Sequence, residues 1–427
     1  MTYIQDLTSS ESERQRTTLN LIASENYASP ATLKLLGTIW NTKYAEGLPG
    51  KRYYAGNAYA DELKTYVQKL ALRAFGATED YGVNVQVLSG SPANAMVYLT
   101  VLHYGDTVMS LDLASGGHLS HLHETSSWMQ FYKHVTYSLN ETSVGHYIDL
   151  EKFGETLAQY KPQLVIIGFS AYPPAYDFAP LIELAHEHGA MVLADIAHIA
   201  GLVAAGLHSS PFASGIAGAD FVTTTTHKTL RGPRSALVFA KNEFMNRLNA
   251  TIFPGTSGGP HMQQIAAVGH ALLEVVGEEL YPDKRPFTEY MQAVVQNAQA
   301  LERGFVSTGL HPVSPTGTHL VLIHIPDDQD SLELQLKLES LGIITNRNAV
   351  PGDTKSAWRP SGMRFGTAAL TSRGIESLQS EELGRLIGQI IVGTINDVDA
   401  NKYVESLIKS LSWPYAAGLS AITKLKQ

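Results

Sequence analysis

The stretch TTTTHKTLRGPR, residues 223–234, is the most informative part of the sequence, because it places a lysine at the end of a strand. A short apolar strand, residues 220–222, precedes it, and hydroxyl groups, His227 and two arginines surround Lys228. A single lysine is usually a solvated surface charge, but these surroundings suit an amine that forms a Schiff base with a carbonyl cofactor. The sequence therefore predicts a reactive amine at Lys228, and motifs upstream have to supply the rest of such a site.

The composition limits the class of protein. With 427 residues the chain is long enough for a large core and two domains, and 44% apolar with 17% charged residues is typical of a globular protein. The net charge of -9 argues against a nucleic-acid partner. Because the chain contains no cysteine, disulfides, thiolate metal sites and cysteine nucleophiles are excluded.

The longest apolar stretch, residues 189–207, has the length of a membrane span. Asp195 and His198 lie in its middle, where charged and polar groups are costly in a bilayer, so a buried strand followed by a tight turn fits better. Residues 1–16 are polar and acidic without an apolar segment, unlike a signal peptide. We therefore expect a cytoplasmic protein without a membrane partner.

Strands and helices alternate in the first two thirds of the chain. Short, continuous apolar strands separated by helices predict an α/β fold with a mainly parallel sheet that helices cover on both faces. The expected strands are residues 83–87, 164–168, 191–195 and 235–239, and the expected helices are residues 91–102 and 178–188.

A cluster of structure-breaking residues, 281–286, predicts a domain boundary. The pattern after it predicts a smaller α+β domain, with helices at 287–306, 331–341, 377–396 and 402–412 and strands at 320–325 and 343–345. The sequence thus predicts an N-terminal arm (1–25), a large domain (26–280) and a small C-terminal domain (281–427). The arm is expected to pack on a partner or on the main body.

A small-residue loop lies between the expected strand at 83–87 and the following helix. Ser89, Gly90 and Ser91 at a helix N-terminus offer backbone amides and hydroxyls that can hold a phosphate, to which Arg234 can add charge. The alternative is a glycine-containing turn with a serine cap.

Asp195 follows an expected strand. A carboxylate there can hold a protonated pyridine nitrogen and so make the ring a better electron sink, although an aspartate at a strand end is also common as a helix cap. The loop at Ser89, Asp195 and Lys228 all fall at the carboxyl ends of strands, where ligands bind in such sheets. Their coincidence favours pyridoxal phosphate.

The histidine-rich string SGGHLSHLHE, residues 115–124, has two interpretations. It could hold a metal, but the spacing matches no helix face well. The preceding glycines indicate close approach to a planar ligand, so we favour stacking of His118 on a pyridine ring and expect no metal site. His186 and His188, on the expected helix at 178–188, are predicted to be solvated.

Taken together, these motifs resemble the serine hydroxymethyltransferase family of fold-type I pyridoxal-phosphate enzymes. The resemblance covers nearly the whole chain, and the TTTTHK and YAEG motifs are highly specific to that family. The similar stretches are LIASEN (21–26), KYAEGLPGKRYY (43–54), the loop at 89–94, GGH (116–118), DIAHIAGLVAAG (195–206), residues 223–234, NRNAVP (346–351) and SGMRFGT (361–367).

The resemblance implies a role for each matching residue. For the cofactor, it implies Lys228 as the Schiff-base lysine, Asp195 on the pyridine nitrogen, His118 stacked on the ring, Ser170 and His198 near the phenolic oxygen, His227 in contact, and Ser89, Gly90, Ser91 and Arg234 around the phosphate, with Gly258 and Gly259 reaching in from a second subunit. For the substrates, it implies Arg364 and Ser24 on the serine carboxylate, Glu46 and Tyr54 at the hydroxymethyl group from the neighbouring subunit, and Glu46, Leu113, Gly117, Leu119 and Asn348 around tetrahydrofolate. The catalytic residues would be Lys228, Glu46, Asp195, His118 and Tyr54.

The implied activity is the reversible interconversion of L-serine and tetrahydrofolate with glycine and 5,10-methylenetetrahydrofolate, in a homodimer or homotetramer with shared sites. Alternatives are a threonine-type aldolase or transaldolase, or an α-methylserine hydroxymethyltransferase, on the same scaffold, and a non-enzymatic binding or regulatory protein. The chain departs from the family pattern at Pro173 and Pro174, at residues 122–124, where a glycine is usual, and at residues 126–134.

Overall fold

The computed structural model describes residues 2–356 and 358–415, so residues 416–427 of the predicted C-terminal domain lie outside it. The strands, in chain order, are β1 Leu19–Asn20, β2 Gly47–Leu48, β3 Lys51–Arg52, β4 Tyr81–Asn84, β5 Thr107–Leu111, β6 Lys133–Tyr137, β7 Leu139–Thr142, β8 Gly145–Ile148, β9 Leu164–Ile167, β10 Met191–Asp195, β11 Phe221–Thr225, β12 Ala236–Lys241, β13 Leu320–His324, β14 Ile343–Ile344, β15 Asn346–Asn348 and β16 Gly362–Gly366.

The α-helices are α1 Tyr3–Arg16, α2 Pro30–Leu36, α3 Ala58–Ala74, α4 Gly90–Val101, α5 Leu150–Tyr160, α6 Ala179–Glu187, α7 Ala200–Ala204, α8 Asn242–Ala250, α9 Met262–Val275, α10 Phe287–Val306, α11 Ser331–Ser340, α12 Ala368–Ser372, α13 Ser377–Ile391 and α14 Asp397–Ser410.

A seven-stranded sheet forms the centre of the larger part of the fold. Its strand order is β4-β12-β11-β10-β9-β5-β6, and only β12 runs antiparallel to its neighbours β4 and β11. All residues of β9 and β11 are buried, which explains their continuous apolar or small character, because helices cover both faces. The predicted α/β fold with a mainly parallel sheet is confirmed.

The first predicted strand is displaced. We expected residues 83–87, but β4 runs from Tyr81 to Asn84. The Asn84 side chain is the reason, since its Oδ1 accepts a hydrogen bond from the Gln86 amide at 3.0 Å and so takes that amide out of the ladder.

The C-terminal helices also differ from their predicted bounds. The helix predicted at 377–396 ends at Ile391, because Gly393 adopts a left-handed φ of +75° just after its end. The helix predicted at 402–412 begins at Asp397, since the Asn396 side chain caps it by accepting from the Asp399 amide at 2.9 Å. Both capping residues are visible in the sequence, but the prediction overlooked them.

A separate apolar cluster, apart from the core of the seven-stranded sheet, lies around the three-stranded antiparallel sheet β13-β16-β15. Leu19 and Leu21 belong to this cluster, and β1 pairs in parallel with β14, Leu19 opposite Ile343. The start of the chain therefore packs with residues that follow Leu320. The domain boundaries given above remain predictions.

The apolar stretch at 189–207 folds as β10, a turn and the short, buried helix α7. Within the part of the chain described, no helix is both long and apolar enough to cross a membrane. The cytoplasmic location remains a prediction.

Contrary to the prediction, His186 is not solvated. Its Nε2 lies 2.9 Å from Asp220 Oδ2 and its Nδ1 lies 2.7 Å from the Ile216 carbonyl oxygen, because the end of α6 packs on the turn at 215–217. The hydrogen bond to Asp220 raises the pKa of His186. His188 is exposed as predicted.

One lysine in the part of the fold built on the seven-stranded sheet is fully buried and contacts a side-chain amide. Lys64 lies on α3, and its Nζ donates to Gln86 Oε1 at 2.6 Å. Burial, together with the nearby charge of Arg52, lowers the pKa of Lys64 to about 7 from an ordinary value of 10.5. Between these pH values the unfolded chain binds a proton that the folded chain does not, so stability rises with pH across that window.

Lys64→Met is expected to raise the free energy of unfolding by about 1–3 kcal/mol at pH 7, because it replaces a buried charge with an apolar side chain of similar length. The gain is expected to shrink towards pH 10, where the native lysine is already neutral in the fold. Urea unfolding at both pH values measures it, with Lys69→Met on the exposed side of α3 as the control. A destabilised Lys64→Met protein, or a gain independent of pH, contradicts this account.

Candidate active site

A cavity of about 500 Å³ opens at the carboxyl ends of β9, β10 and β11, the edge where α/β sheets bind ligands. Sixteen predicted site residues line it: Ser24, Ser89, Gly90, Ser91, Leu113, Gly117, His118, Leu119, Ser170, Asp195, His198, His227, Lys228, Arg234, Asn348 and Arg364. Glu25, His121, Phe169, Ala197 and Thr225 also line it, although the sequence analysis did not select them.

Asp195 supplies the negative charge of this cavity, and its side chain is only 11% exposed. Its Oδ2 accepts hydrogen bonds from His121 Nε2 and Asn94 Nδ2, each at 2.9 Å, and its Oδ1 accepts one from the Ala197 amide at 3.0 Å. Burial alone would raise the pKa of Asp195, but these hydrogen bonds bring it well below the ordinary range. The group is therefore an ionised carboxylate, and it is not the cap of α7, which is Ile199.

Asn94 holds Asp195 in a fixed orientation. Its Oδ1 accepts from Thr223 Oγ1 at 2.7 Å, so its Nδ2 has to face Asp195 and Ser120 Oγ, both at 2.9 Å. Sequence reasoning missed Asn94 and His121 as partners of Asp195. A signal existed for Asn94, because it lies four residues after Gly90 and thus on the same helix face as the predicted phosphate loop.

Lys228 is buried at the end of β11, where its backbone carbonyl accepts from Asn26 Nδ2 at 2.9 Å and from the Arg231 amide at 3.1 Å. Burial and, to a smaller extent, the charges of Arg364 and Arg234 lower the pKa of Lys228 to about 8. Near neutral pH more of this amine is unprotonated than in a solvated lysine. The unprotonated amine is the nucleophilic form.

The loop at residues 89–91 opens towards the cavity. Ser89 is the N-cap of α4, but its side chain makes no capping hydrogen bond, which leaves the first-turn amides to bind an anion. A Cβ added to Gly90 would lie 3.0 Å from Thr225 Cγ2, so glycine allows the loop to approach β11 closely. These features favour the phosphate loop over a serine-capped turn.

His118 presents a neutral ring to the cavity. Its Nδ1 accepts from the Ser120 amide at 3.2 Å, so the proton lies on Nε2, and burial, with the nearby His121, lowers the pKa of His118 to about 4. The glycine before it is required, since a Cβ on Gly117 would lie 2.4 Å from the Leu111 carbonyl oxygen. No three His, Asp or Glu side chains among the described residues converge to hold a metal, and His123 bonds Thr125 instead.

Arg364 reaches the cavity from β16 of the small sheet. Its Nη1 donates to the Ser170 carbonyl oxygen at 2.6 Å and its Nε donates to Asn346 Oδ1 at 3.2 Å. Burial lowers the pKa of Arg364 to about 10, so the guanidinium stays charged at neutral pH. A guanidinium so placed is able to bind a carboxylate by two parallel hydrogen bonds.

The other four predicted residues, Glu46, Tyr54, Gly258 and Gly259, do not line this cavity. They gather around Tyr44, whose Oη donates to Glu46 Oε1 at 3.2 Å and whose ring centroid lies 5.1 Å from that of Tyr54. A Cβ added to Gly258 would lie 3.2 Å from Glu46 Oε1, and one added to Gly259 would lie 3.2 Å from the Tyr44 ring. Together with Tyr53, these residues form one surface, which we call the tyrosine surface; its tyrosines are exposed, and Glu46 is half-buried.

Comparison with known proteins gives consistent matches. The profile of a family described as serine hydroxymethyltransferase matches residues 2–387. A serine hydroxymethyltransferase of Rhodopirellula baltica is 42% identical over 406 residues, which cover 95% of this chain and 92% of that protein. One from Desulfotalea psychrophila is 41% identical over 383 residues, which cover 89% and 86%, respectively.

Leu122, in the histidine-rich string, has a left-handed backbone. Its φ is +65°, although it is a fully buried leucine that packs in the apolar cluster behind the sheet. This conformation costs an ordinary L-residue roughly 1–2 kcal/mol and costs glycine almost nothing. The burial of the Leu122 side chain therefore offsets a backbone cost that a glycine at this position would not incur.

Leu122→Ala is expected to cost about 2–5 kcal/mol of stability through lost burial. Leu122→Gly is expected to cost no more, because it also relieves the backbone, and this reverses the usual order of alanine and glycine. The control is the same pair at Leu157, buried in the right-handed helix α5, where glycine should cost more than alanine. Urea unfolding measures all four variants, and a Leu122→Gly protein clearly less stable than Leu122→Ala would refute the argument.

Proposed function

The chain belongs to the serine hydroxymethyltransferase family, and on that premise we propose that its cavity binds pyridoxal 5'-phosphate and carries out the family reaction there. That reaction is the reversible interconversion of L-serine and tetrahydrofolate with glycine and 5,10-methylenetetrahydrofolate. The observation that carries the proposal is that an ionised Asp195 at the end of β10 and a buried Lys228 of lowered pKa just beyond the adjacent strand β11 line the same cavity.

The residues of the cavity fit this cofactor. The loop at 89–91 and Arg234 suit its phosphate, and Asp195 suits a protonated ring nitrogen. His227 Nδ1 is buried without a hydrogen-bond partner among the described residues, as expected of a group whose partner is a ligand.

The chemistry divides between the cofactor and the protein. When bound, the pyridine ring supplies a sink for the electron pair released when a bond to the substrate α-carbon breaks. The Lys228 amine would hold the cofactor. Asp195 would hold the ring nitrogen protonated, and the neutral ring of His118 would contact the cofactor ring.

Arg364 and Ser24 orient the amino acid by its carboxylate. Fixing the carboxylate would determine which bond to the substrate α-carbon is held in position to break. Such positioning is worth several kcal/mol of the barrier. Ser170 and His198 would lie near the phenolic oxygen of the cofactor.

The tyrosine surface completes the site in a second subunit. Tyr44, Tyr53 and Tyr54 are 53%, 75% and 49% exposed, and aromatic groups grouped in this way are typical of an interface. In a two-fold dimer, Glu46 and Tyr54 of one subunit meet the serine hydroxymethyl group in the other, and Gly258 and Gly259 meet the phosphate. Glu46 then exchanges a proton with the hydroxymethyl oxygen or with the folate.

Tetrahydrofolate binds at the cavity mouth, next to Leu113, Gly117, Leu119 and Asn348. Leu119 is 54% exposed there and offers an apolar contact. Pro173 and Pro174, where the chain departs from the family pattern, do not line this mouth: the Pro173 carbonyl instead accepts from the Gly317 amide and Thr318 Oγ1, each at 3.0 Å. The departure thus leaves the proposed folate contacts in place.

Glycine formation from L-serine, measured with and without tetrahydrofolate, tests the function. The proposal expects turnover that depends on tetrahydrofolate. Cleavage of serine or threonine at the same rate without folate would assign the chain to the aldolase alternative.

Lys228→Ala is expected to lose the visible absorbance of the bound cofactor and at least about 10³-fold in serine turnover, because no other amine holds the cofactor. Absorbance spectra of the purified variant, with added pyridoxal phosphate, measure the first effect. Lys69→Ala, an exposed control, should keep both properties. An unchanged band in Lys228→Ala would contradict the assignment.

Mixing Lys228→Ala with Glu46→Gln is expected to restore activity if the sites are shared. Each variant alone is inactive, but a mixed dimer contains one site with neither substitution. Reassembly of equal amounts from mild denaturant therefore recovers about a quarter of the parent activity. No recovery, with mixed dimers demonstrated by two affinity tags, would place Glu46 in the same subunit's site.

A further inference from the structure

Two histidines meet behind the cavity wall. His198 lines the cavity, and its Nδ1 lies 3.3 Å from Nε2 of His319, a residue that no motif selected. The same Nε2 lies 3.1 Å from the backbone carbonyl oxygen of Ala23. His319 is completely buried, and Ala23 precedes the cavity residue Ser24.

These contacts determine where the protons lie. A carbonyl oxygen only accepts, so His319 has to carry its proton on Nε2, since otherwise two lone pairs would face each other at 3.1 Å. His198 Nδ1 then has to accept, because a proton there would face the N–H of His319. Burial lowers the pKa of both rings, that of His319 to about 3, so each ring is neutral and holds one proton. The proton of His198 lies on Nε2, the nitrogen directed away from His319.

We propose that His319 is a positioning residue that fixes His198 as a hydrogen-bond donor into the cavity and ties it to the segment that carries Ser24. The acceptor of this hydrogen bond would be an anionic oxygen of the cofactor or substrate, and that assignment rests on the proposed function. A donor held in this form cannot take up a proton during the reaction, so the proton acceptor has to be another residue.

The place of His319 in the fold links three parts of the site. It immediately precedes β13, and its backbone carbonyl accepts from the Thr367 amide at 3.0 Å and from Thr367 Oγ1 at 3.2 Å. Thr367 directly follows β16, the strand that carries Arg364. One residue thus connects the strand of the carboxylate-binding arginine, the Ser24 segment and the wall of the larger sheet.

The test compares His319→Gln with His319→Leu in the full-length protein as purified. A glutamine amide has two N–H bonds and is able to donate to both Ala23 and His198, whereas leucine has no donor. Nitrogen-15 NMR of histidine-labelled protein reports which ring nitrogen of His198 is protonated, and His198→Gln assigns the signal by removing it. We expect the Nε2–H form in the parent and in His319→Gln, and a mixture of both forms in His319→Leu.

Protonation of Nδ1 in the parent, or an unaltered Nε2–H form in His319→Leu, overturns the proposal. If His319→Leu does not fold, the parent and His319→Gln carry the test, and protonation of His198 Nδ1 in either one overturns the proposal. In kinetics, His319→Leu is expected to lose about tenfold in kcat/KM for serine, the effect of one hydrogen bond, and His319→Gln to stay within about twofold. Equal losses in the two variants also overturn it. A parent without serine turnover refutes the proposed function, while the NMR result still decides the role of His319.

Discussion

A negative charge that is largely enclosed at the end of β10 is the constraint on which the site depends. Taking a carboxylate out of water costs several kcal/mol unless hydrogen bonds replace its hydration. Asp195 obtains them from His121, Asn94 and the Ala197 amide. The bond to His121 positions the loop that carries His118, and the bond to Asn94 positions helix α4, which begins at the phosphate loop. Stabilising one charge therefore also assembles the surrounding cavity.

The sequence predicted what local patterns encode. Polar residues that directly follow apolar strands, such as Asp195 and Lys228, have to meet at one sheet edge, and the structure brings sixteen of the selected residues together there. Other site residues, such as Arg364, were predicted only from the resemblance to a known family. The helices and strands that were predicted overlap those observed, because apolar patterns define their interiors, whereas α3, α9, β5 and β6 were not predicted.

The missed features depend on pairing between distant residues. No local pattern indicates that His121 bonds Asp195, or that His319 bonds Ala23, because tertiary packing alone brings these groups together. The antiparallel direction of β12 is equally invisible in an apolar run that fits either direction. The displaced helix ends, in contrast, have a local cause. Gly393 and Asn396 are capping residues that are visible in the sequence, but a prediction based on periodicity does not use them.

The pairing of β1 with β14 bears on how the chain is made. On a ribosome, Leu19 and Leu21 emerge long before Ile343 and Ile344, the residues against which they pack. Until translation has passed that point, two apolar side chains near the start of the nascent chain have no native cover, and the larger sheet can form first. Contacts made by some of the first residues synthesised thus form only after most of the chain has been made, and a chaperone that shields the N-terminal segment would act in that interval.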